Sequence, residues 1–406
     1  MRYIACCRLR QPTHKPIEQK ERMVASVSAS SHSTDPITKA LNKEQLPDSY
    51  FTWPGVLDRL GRREELSESQ VSWAMREIMD GNAGPAVIAA FSFGLRVKGL
   101  SAAELAAAAE TMRSFAAKVD FSDQPDRVDI VGTGGDGHHT VNISTMAAIV
   151  IAASGVPVVK HGNRAASSKC GGADMLEALG MDIERDPQGI REDAAKTNFA
   201  FMYSKTYHPA MRFAAPVRSE LAVPTMFNLL GPMTNPASPR YGLIGCAFRD
   251  MMPIMGGAFA HQGARVLVVR GMDGMDEISV CAPTEVVTVD ETGQTSEATI
   301  NPAALGLSYH EEGALTGGDA AYNAQVAVDL MNGKLEGAIK DAVLINAAGA
   351  LTAVRGWTDR ITPDNGYTVN DAVREVMREQ IEVARRALGS GAARDTLQAV
   401  LGRSID

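Results

Sequence analysis

The chain has 406 residues, 45% of them hydrophobic and 22% charged, which excludes a disordered or fibrous protein and leaves room for about two or three domains. A formal net charge of −8 offers no field to nucleic acid or an anionic membrane, so any anion must be held by local groups. Five scattered cysteines (positions 6, 7, 170, 246 and 281) without paired CxxC spacing fit reduced thiols in a cytoplasmic protein, and no apolar run is long enough to span a bilayer.

Residues 1–45 carry Arg and Lys early and a Ser-rich patch later, with no apolar stretch of the kind a secretory signal needs. Three arginines precede the first acid, Glu18, a weak trait of organelle targeting; the plainer reading is a disordered extension, or a true start at Met23. From 46 to 120 the periodicity is helical. Gly81 is a plausible stop, and Ser101 with Glu104 three residues on forms a capping box. No strand pattern interrupts this stretch.

After Phe121 the pattern alternates. "RVDIVGTGG", "VPVVKHG", "FAFMYS", "YGLIGCAF" and "ARVLVVRG" read as strands. "STMAAIVIAASG" and "GADMLEALG" read as helices closed by Gly155 and Gly180. Alternation of this kind predicts an α/β fold with a mostly parallel central sheet flanked by helices. "EISVCAPTEVVTVDETGQ" reads as a local antiparallel excursion, and the chain from Asp319 to Leu401 as mainly helical.

Three loops after strands carry the chemistry. In "DIVGTGGDGHHTVNIST", Gly132, Gly134 and Gly135 let backbone amides approach a ligand, and a helix beginning near Ser144 turns its positive end to the same place. The spacing is neither GxGxxG nor GxxxxGK[ST]. In "KHGNRAASSKCGG", Lys160 is a point charge for phosphate, Arg164 a planar donor fork, and Asn163, Ser167 and Ser168 neutral donors. Parallel strands end at one edge of the sheet, so both loops are expected in one crevice, which favours a phosphate-rich ligand. The third loop, "GMDGMDEIS", brings Asp273, Asp276 and Glu277; carboxylates beside a phosphate cradle call for a cation such as Mg²⁺ between them. In "YHPAMRFAAPVRSELAVPTMFNLLGPMTNP", Arg212 and Arg218 lie six apart on an expected helix; spacing alone does not decide which of them meets a substrate carboxylate.

Taken together, "GTGGDGHHTVNIST", "KHGNRAASSKCGGADMLEALG", "APVRSELAVPTMFNLLGPMTNP" and "DGMDEIS" resemble the anthranilate phosphoribosyltransferase family, from about Pro54 to the C-terminus and in the family's order. The resemblance implies a small N-terminal α-helical domain, 46–120 and completed by helices near 205–236, hinged to a larger α/β domain over 121–406, and a homodimer through the helical part. It implies that Gly132, Gly135, Asp136, Thr140, Asn142, Ile143, Ser144, Thr145, Lys160, Gly162, Asn163, Arg164, Ser167, Ser168 and Gly172 hold phosphoribosyl pyrophosphate. It implies that Ser144, Asp276 and Glu277 coordinate two Mg²⁺ ions, and that Gly132, His161, Asn163 and Arg218 meet anthranilate. The family's serines at positions 170 and 172 are here Cys170 and Gly172, which predicts an altered affinity for the phosphoribosyl donor.

The implied reaction displaces pyrophosphate from C1 of the ribose by the amine of anthranilate, in tryptophan biosynthesis. An aromatic amine is already neutral at pH 7, so the expectation is catalysis by positioning and electrostatics, with Lys160, His161 and Asn163 contributing and no acid–base residue. Two rivals remain. A pyrimidine-nucleoside phosphorylase would use inorganic phosphate without Mg²⁺, against the Asp276–Glu277 pair. A non-catalytic nucleic-acid-binding homologue would need a basic stripe that the net charge does not supply.

Overall fold

The computed structural model describes residues 51–124, 126–165 and 168–405, and these belong to one compact unit. The expected extension over 1–45 and the candidate Ser167 lie outside the described residues.

Helices Trp53–Gly61, Glu68–Met79, Pro85–Lys98 and Ala102–Ser114 form the N-terminal helical part. Ser67 with Gln70 and Ser101 with Glu104 make capping boxes at two of their starts. Glu104 does more than cap. It is buried at 1% exposure, bonds Lys98 Nζ at 2.7 Å, and accepts the amides of Leu66 and Ser101 at 2.9 Å each.

Seven strands form one sheet: β1 Val128–Gly132, β2 Val158–Gly162, β3 Phe199–Tyr203, β4 Tyr241–Gly245, β5 Arg265–Gly271, β6 Thr284–Val289 and β7 Thr295–Ile300. The order is β3-β2-β1-β4-β5-β6-β7, with β1 to β5 parallel and β6 and β7 antiparallel. Strand order reverses beside β1, whose neighbours are β2 and β4; such a switch point opens a crevice at the carboxyl edge.

Side chains alternate between two cores. Ile130, Leu243, Leu267, Val269 and Val286 face a layer that includes helices Ile143–Ala153, Ala338–Arg355 and Val369–Gly389. Ile244, Val266, Val268, Val287 and Val289 face the other layer, built from helix Met252–His261 and the helical part. The helix Ile143–Ala153 is apolar nearly all round, as a fully enclosed helix must be, and its N-terminus opens at the end of β1.

After β3 the chain passes through short elements: Ser204–Tyr207, the 3₁₀ turn Pro209–Phe213, and helices Ala215–Leu221 and Met226–Met233. Ala214, Val217, Phe227 and Leu230 from this segment share a core with Ile88, Phe91 and Leu95. The single helix expected to carry both arginines is therefore two elements, because Pro209 and Pro216 each begin a new one. Arg212 lies on the 3₁₀ turn, exposed and stacked on Phe213 at 4.4 Å. Arg218 lies on the helix.

Candidate active site

The site is built where β1, β2, β4 and β5 end. Register pairs Gly132 of β1 with Gly245 of β4, and the turn after β5 lays Asp276 across both. A Cβ on Gly132 would sit 2.2 Å from Asp276 Oδ2, and one on Gly245 would sit 1.6 Å from the Asp276 carbonyl oxygen. Only glycine at both strand ends permits this approach. Gly134, in the left-handed region at φ +68°, donates its amide to Asp276 Oδ2 at 2.7 Å.

Glu277 is anchored on one side only. Its Oε1 accepts the Ser144 amide at 3.2 Å, at the start of helix Ile143–Ala153, while its Oε2 is shut off from solvent with no partner among the described residues. Asp136 accepts the His138 amide at 3.2 Å and the Asp276 amide at 3.4 Å. Burial raises the Asp276 carboxyl above the ordinary range, and the Asp136 charge adds to this. Burial raises Glu277 as well, with Asp276 next in effect. Crowded carboxylates of this kind are relieved by a cation. Asp273 belongs to the turn itself, its carboxylate accepting the Met275 amide and the Ser279 hydroxyl.

Lys160 reaches beneath the same site from β2. Its ammonium donates to the Ile130 carbonyl and to Ser144 Oγ at 3.2 Å, and only 3% of the residue is exposed. Burial lowers its pKa, opposed by Asp129, Glu277 and Asp276. Thr145 Oγ1 is buried without a partner among the described residues, 2.8 Å from where a Cβ on Gly172 would stand. A small cavity lined by Gly132, Ser144, Asp276, Glu277 and Asn346 joins these groups.

No three His, Cys, Asp or Glu side chains among the described residues converge on one point. The oxygen donors of Asp276, Glu277 and the Ser144 hydroxyl suit a hard cation that completes its shell with phosphate oxygens and water, the usual manner of Mg²⁺. The unpartnered Glu277 Oε2 is the observation that fits them to it.

Other candidates have different surroundings. His161 is buried; its Nδ1 meets the Gly231 carbonyl at 3.0 Å and its Nε2 the Ser204 hydroxyl at 2.9 Å. Burial, with His208 nearby, holds its pKa down to about 3, so the ring is neutral and both nitrogens are engaged. It ties β2 to the segment that carries Arg218. Arg164 is drawn onto helix Gly172–Ala178, with Nη1 3.1 Å from Asp174 and 2.6 Å from Glu177, and is not offered to the crevice. Asn142 bonds the Cys170 carbonyl at 3.1 Å and accepts from Asn323 at 2.8 Å. Ile143 is buried in the core, so it can offer no side-chain contact. Thr140 pairs with Thr316 in an isolated bridge. Gly162 ends β2, and Ser168 donates to the Cys170 carbonyl at 3.4 Å. Asn163 is exposed and accepts the Arg164 amide at 2.8 Å. Gly135, at φ +84°, lies beside Gly134.

Arg218 is half-buried with no carboxylate partner among the described residues; its guanidinium lies 5.9 Å from the Phe227 ring, and burial lowers its pKa. Sequence reading missed Asn323 and Asn346. Both are buried asparagines within helices, and that mismatch between polarity and position is the signal each leaves.

A crevice of this design, with an anion cradle at a sheet edge and a helical layer beside it, is that of a pentose-transferring enzyme. Residues 54–116 match the glycosyl transferase family helical bundle domain, and residues 124–394 the glycosyl transferase family a/b domain. The chain is 70% identical over 365 residues to an anthranilate phosphoribosyltransferase of Corynebacterium jeikeium (strain K411), covering 90% of this chain and 96% of that one. Its fold matches the anthranilate phosphoribosyltransferase of Thermus thermophilus with a TM-score of 0.76 at 37% identity, over 86% of this chain and 98% of that one. It matches the Saccharomyces cerevisiae enzyme in complex with PRPP and Mg with a TM-score of 0.74 at 25% identity, over 87% and 98%. The chain belongs to the anthranilate phosphoribosyltransferase family.

Proposed function

We propose that the protein transfers the 5-phosphoribosyl group of phosphoribosyl pyrophosphate to the amine of anthranilate, giving N-(5-phosphoribosyl)anthranilate and pyrophosphate. The observation that carries this reading is the Asp276–Glu277 pair set against a glycine turn, with Glu277 Oε2 left unpartnered among the described residues. A phosphorylase acting with inorganic phosphate alone has no use for two crowded carboxylates at that edge.

Asp276, Glu277 and Ser144 hold Mg²⁺, taken as two ions, which would screen the charge that builds on leaving pyrophosphate. The use of Mg²⁺ is supported by the yeast relative, whose structure holds PRPP and Mg. The Gly135 amide, beside the Gly134 amide that holds Asp276, and the positive end of helix Ile143–Ala153 face the donor's phosphates. Lys160 supplies a fixed positive charge below them. Asn163 and the Gly132 backbone orient the acceptor amine, and Arg218 takes its carboxylate as a two-pronged donor. His161 acts as a neutral tether and not as a base, since neither nitrogen is free.

The boundary between the helical part and the α/β part falls near residue 120, with 205–236 completing the former, and closure between them shields C1 from water. A homodimer forms through the helical part, where Phe93 and Val97, one turn apart, are 48% and 52% exposed. The protein works in the cytoplasm, where the unpaired Cys170, Cys246 and Cys281 stay reduced.

Anthranilate fluorescence tests the reading. With phosphoribosyl pyrophosphate it should fall in Mg²⁺ and persist in EDTA. Arg218→Ala should raise the anthranilate concentration for half-maximal rate about 10- to 100-fold, the loss of a charged hydrogen-bonded pair. Cleavage of thymidine or uridine by phosphate, with no fluorescence change, would move the protein to the phosphorylase branch.

A further inference from the structure

Glu277 and Asp276 sit on a turn, and turns do not hold carboxylates in place unless something braces them. The brace comes from the far layer. Asn346, in the middle of helix Ala338–Arg355 and 1% exposed, directs its side chain at the residue after Glu277. Its Oδ1 accepts the Ile278 amide at 2.9 Å, and its Nδ2 donates to the Ile278 carbonyl at 2.8 Å. The second Nδ2 hydrogen goes to the Ala342 carbonyl at 2.9 Å, one turn back in its own helix.

The amide thus reads both backbone groups of one residue, as a neighbouring strand would, and has no donor left over. Gly349, three residues further along the same helix face, leaves room for the Ile278 side chain against the helix: a Cβ there would be 2.6 Å from Ile278 Cδ1. Asn346 also lines the cavity shared by Gly132, Ser144, Asp276 and Glu277. Two independent contacts from one helix therefore fix the single residue that follows the acidic pair.

We propose that Asn346, with Gly349, is a positioning residue for the metal-binding pair: it sets where the Glu277 and Asp276 carboxylates stand without touching metal or substrate itself. The inference rests on the Mg²⁺ role proposed above for that pair. A polar side chain inside a long helix costs stability unless it is satisfied, and here two of its three hydrogen bonds go to this one turn.

The test counts metal directly. Free Mn²⁺ is followed by electron paramagnetic resonance on the full chain with phosphoribosyl pyrophosphate and no anthranilate, so no turnover is needed. Asn346→Ala should raise the Mn²⁺ concentration for half-occupancy by about 10-fold or more, the usual cost of losing an outer-shell partner. The KM for anthranilate should change little. Gly349→Ala, which leaves the Asn346 side chain in place but pushes on Ile278, should raise the half-occupancy Mn²⁺ concentration by a smaller factor, and it decides the matter if Asn346→Ala does not fold. Folded variants of both kinds that take up Mn²⁺ like wild type, whatever their melting temperatures, would overturn the positioning role. Wild-type protein that takes up no Mn²⁺ with the donor present would overturn the underlying metal assignment instead.

Discussion

Two glutamates have carboxylates withdrawn from solvent, and their surroundings are opposite. Glu104, in the helical part, is closed: Lys98 and two backbone amides take its oxygens. Glu277, in the crevice, is open: one amide holds one oxygen, and the other has no partner among the described residues. A protein that can satisfy a carboxylate fully in one layer leaves another half-made in the next. The first arrangement stabilises the fold. The second costs stability and keeps a ligand position available.

The contrast can be broken from the crevice side first. Glu277→Gln should lower kcat about 100- to 1000-fold, the scale of removing one electrostatic contributor at a developing charge. Its melting temperature should hold or rise, because a crowded charge is gone. Glu104→Ala should do the reverse, lowering stability by about 3–5 kcal/mol in a urea titration because Lys98 is left buried and unpaired. Enzyme that stays folded should keep its kcat. If both variants lose stability equally, the distinction between the two glutamates is wrong.

A smaller effect separates tether from base at His161. The native ring stays neutral to about pH 3, whereas the unfolded chain takes its proton near pH 6.5. As pH falls through that window the unfolded state binds the proton and the native state does not, so native stability drops by about 1.4 kcal/mol per unit. His208, held down to about 4 by burial, acts in the same direction. Asp129, raised to about 6 by burial, acts in the opposite direction below that pH. His161→Gln removes one of these three, so its stability deficit against wild type should narrow by about 1.4 kcal/mol per unit between pH 6.5 and 4.5. The wild-type pH–rate profile should show no His161 titration between pH 5 and 9. Smallest of all, Gly172→Ala should raise the half-saturating donor concentration a few-fold, since the new Cβ would crowd Thr145 Oγ1 at 2.8 Å. An unchanged value would mean that Thr145 simply turns aside.

Much of this was legible in the chain. The five parallel strands show as short apolar runs, and β6 with its turn at Asp290–Gly293 as an antiparallel excursion, whereas β7, Thr295–Ile300, lies just past the stretch so read. The glycine turn, Lys160 and the acidic pair could be read as candidates because their chemistry is local and follows strands, and the structure brings them to one edge of the sheet. What could not be read was pairing across distance. Arg164 looks like a phosphate fork until Asp174 and Glu177 are placed beside it. His161 was expected to help position the acceptor, and nothing local shows that Gly231 and Ser204 take its nitrogens. Asn346 lies 68 residues from the turn it braces, and no periodicity records such a partnership.

The facing pair Gly132 and Gly245 has an evolutionary consequence. Neither residue has a side chain to offer a ligand, and Gly245 lies 31 positions from the acid it accommodates. Yet a single methyl group at either position would evict Asp276 from its seat. A library of point variants should therefore show position 245 as intolerant as the acids themselves. Descendants of this chain can revise the acidic turn only within the space that two bare strand ends leave open.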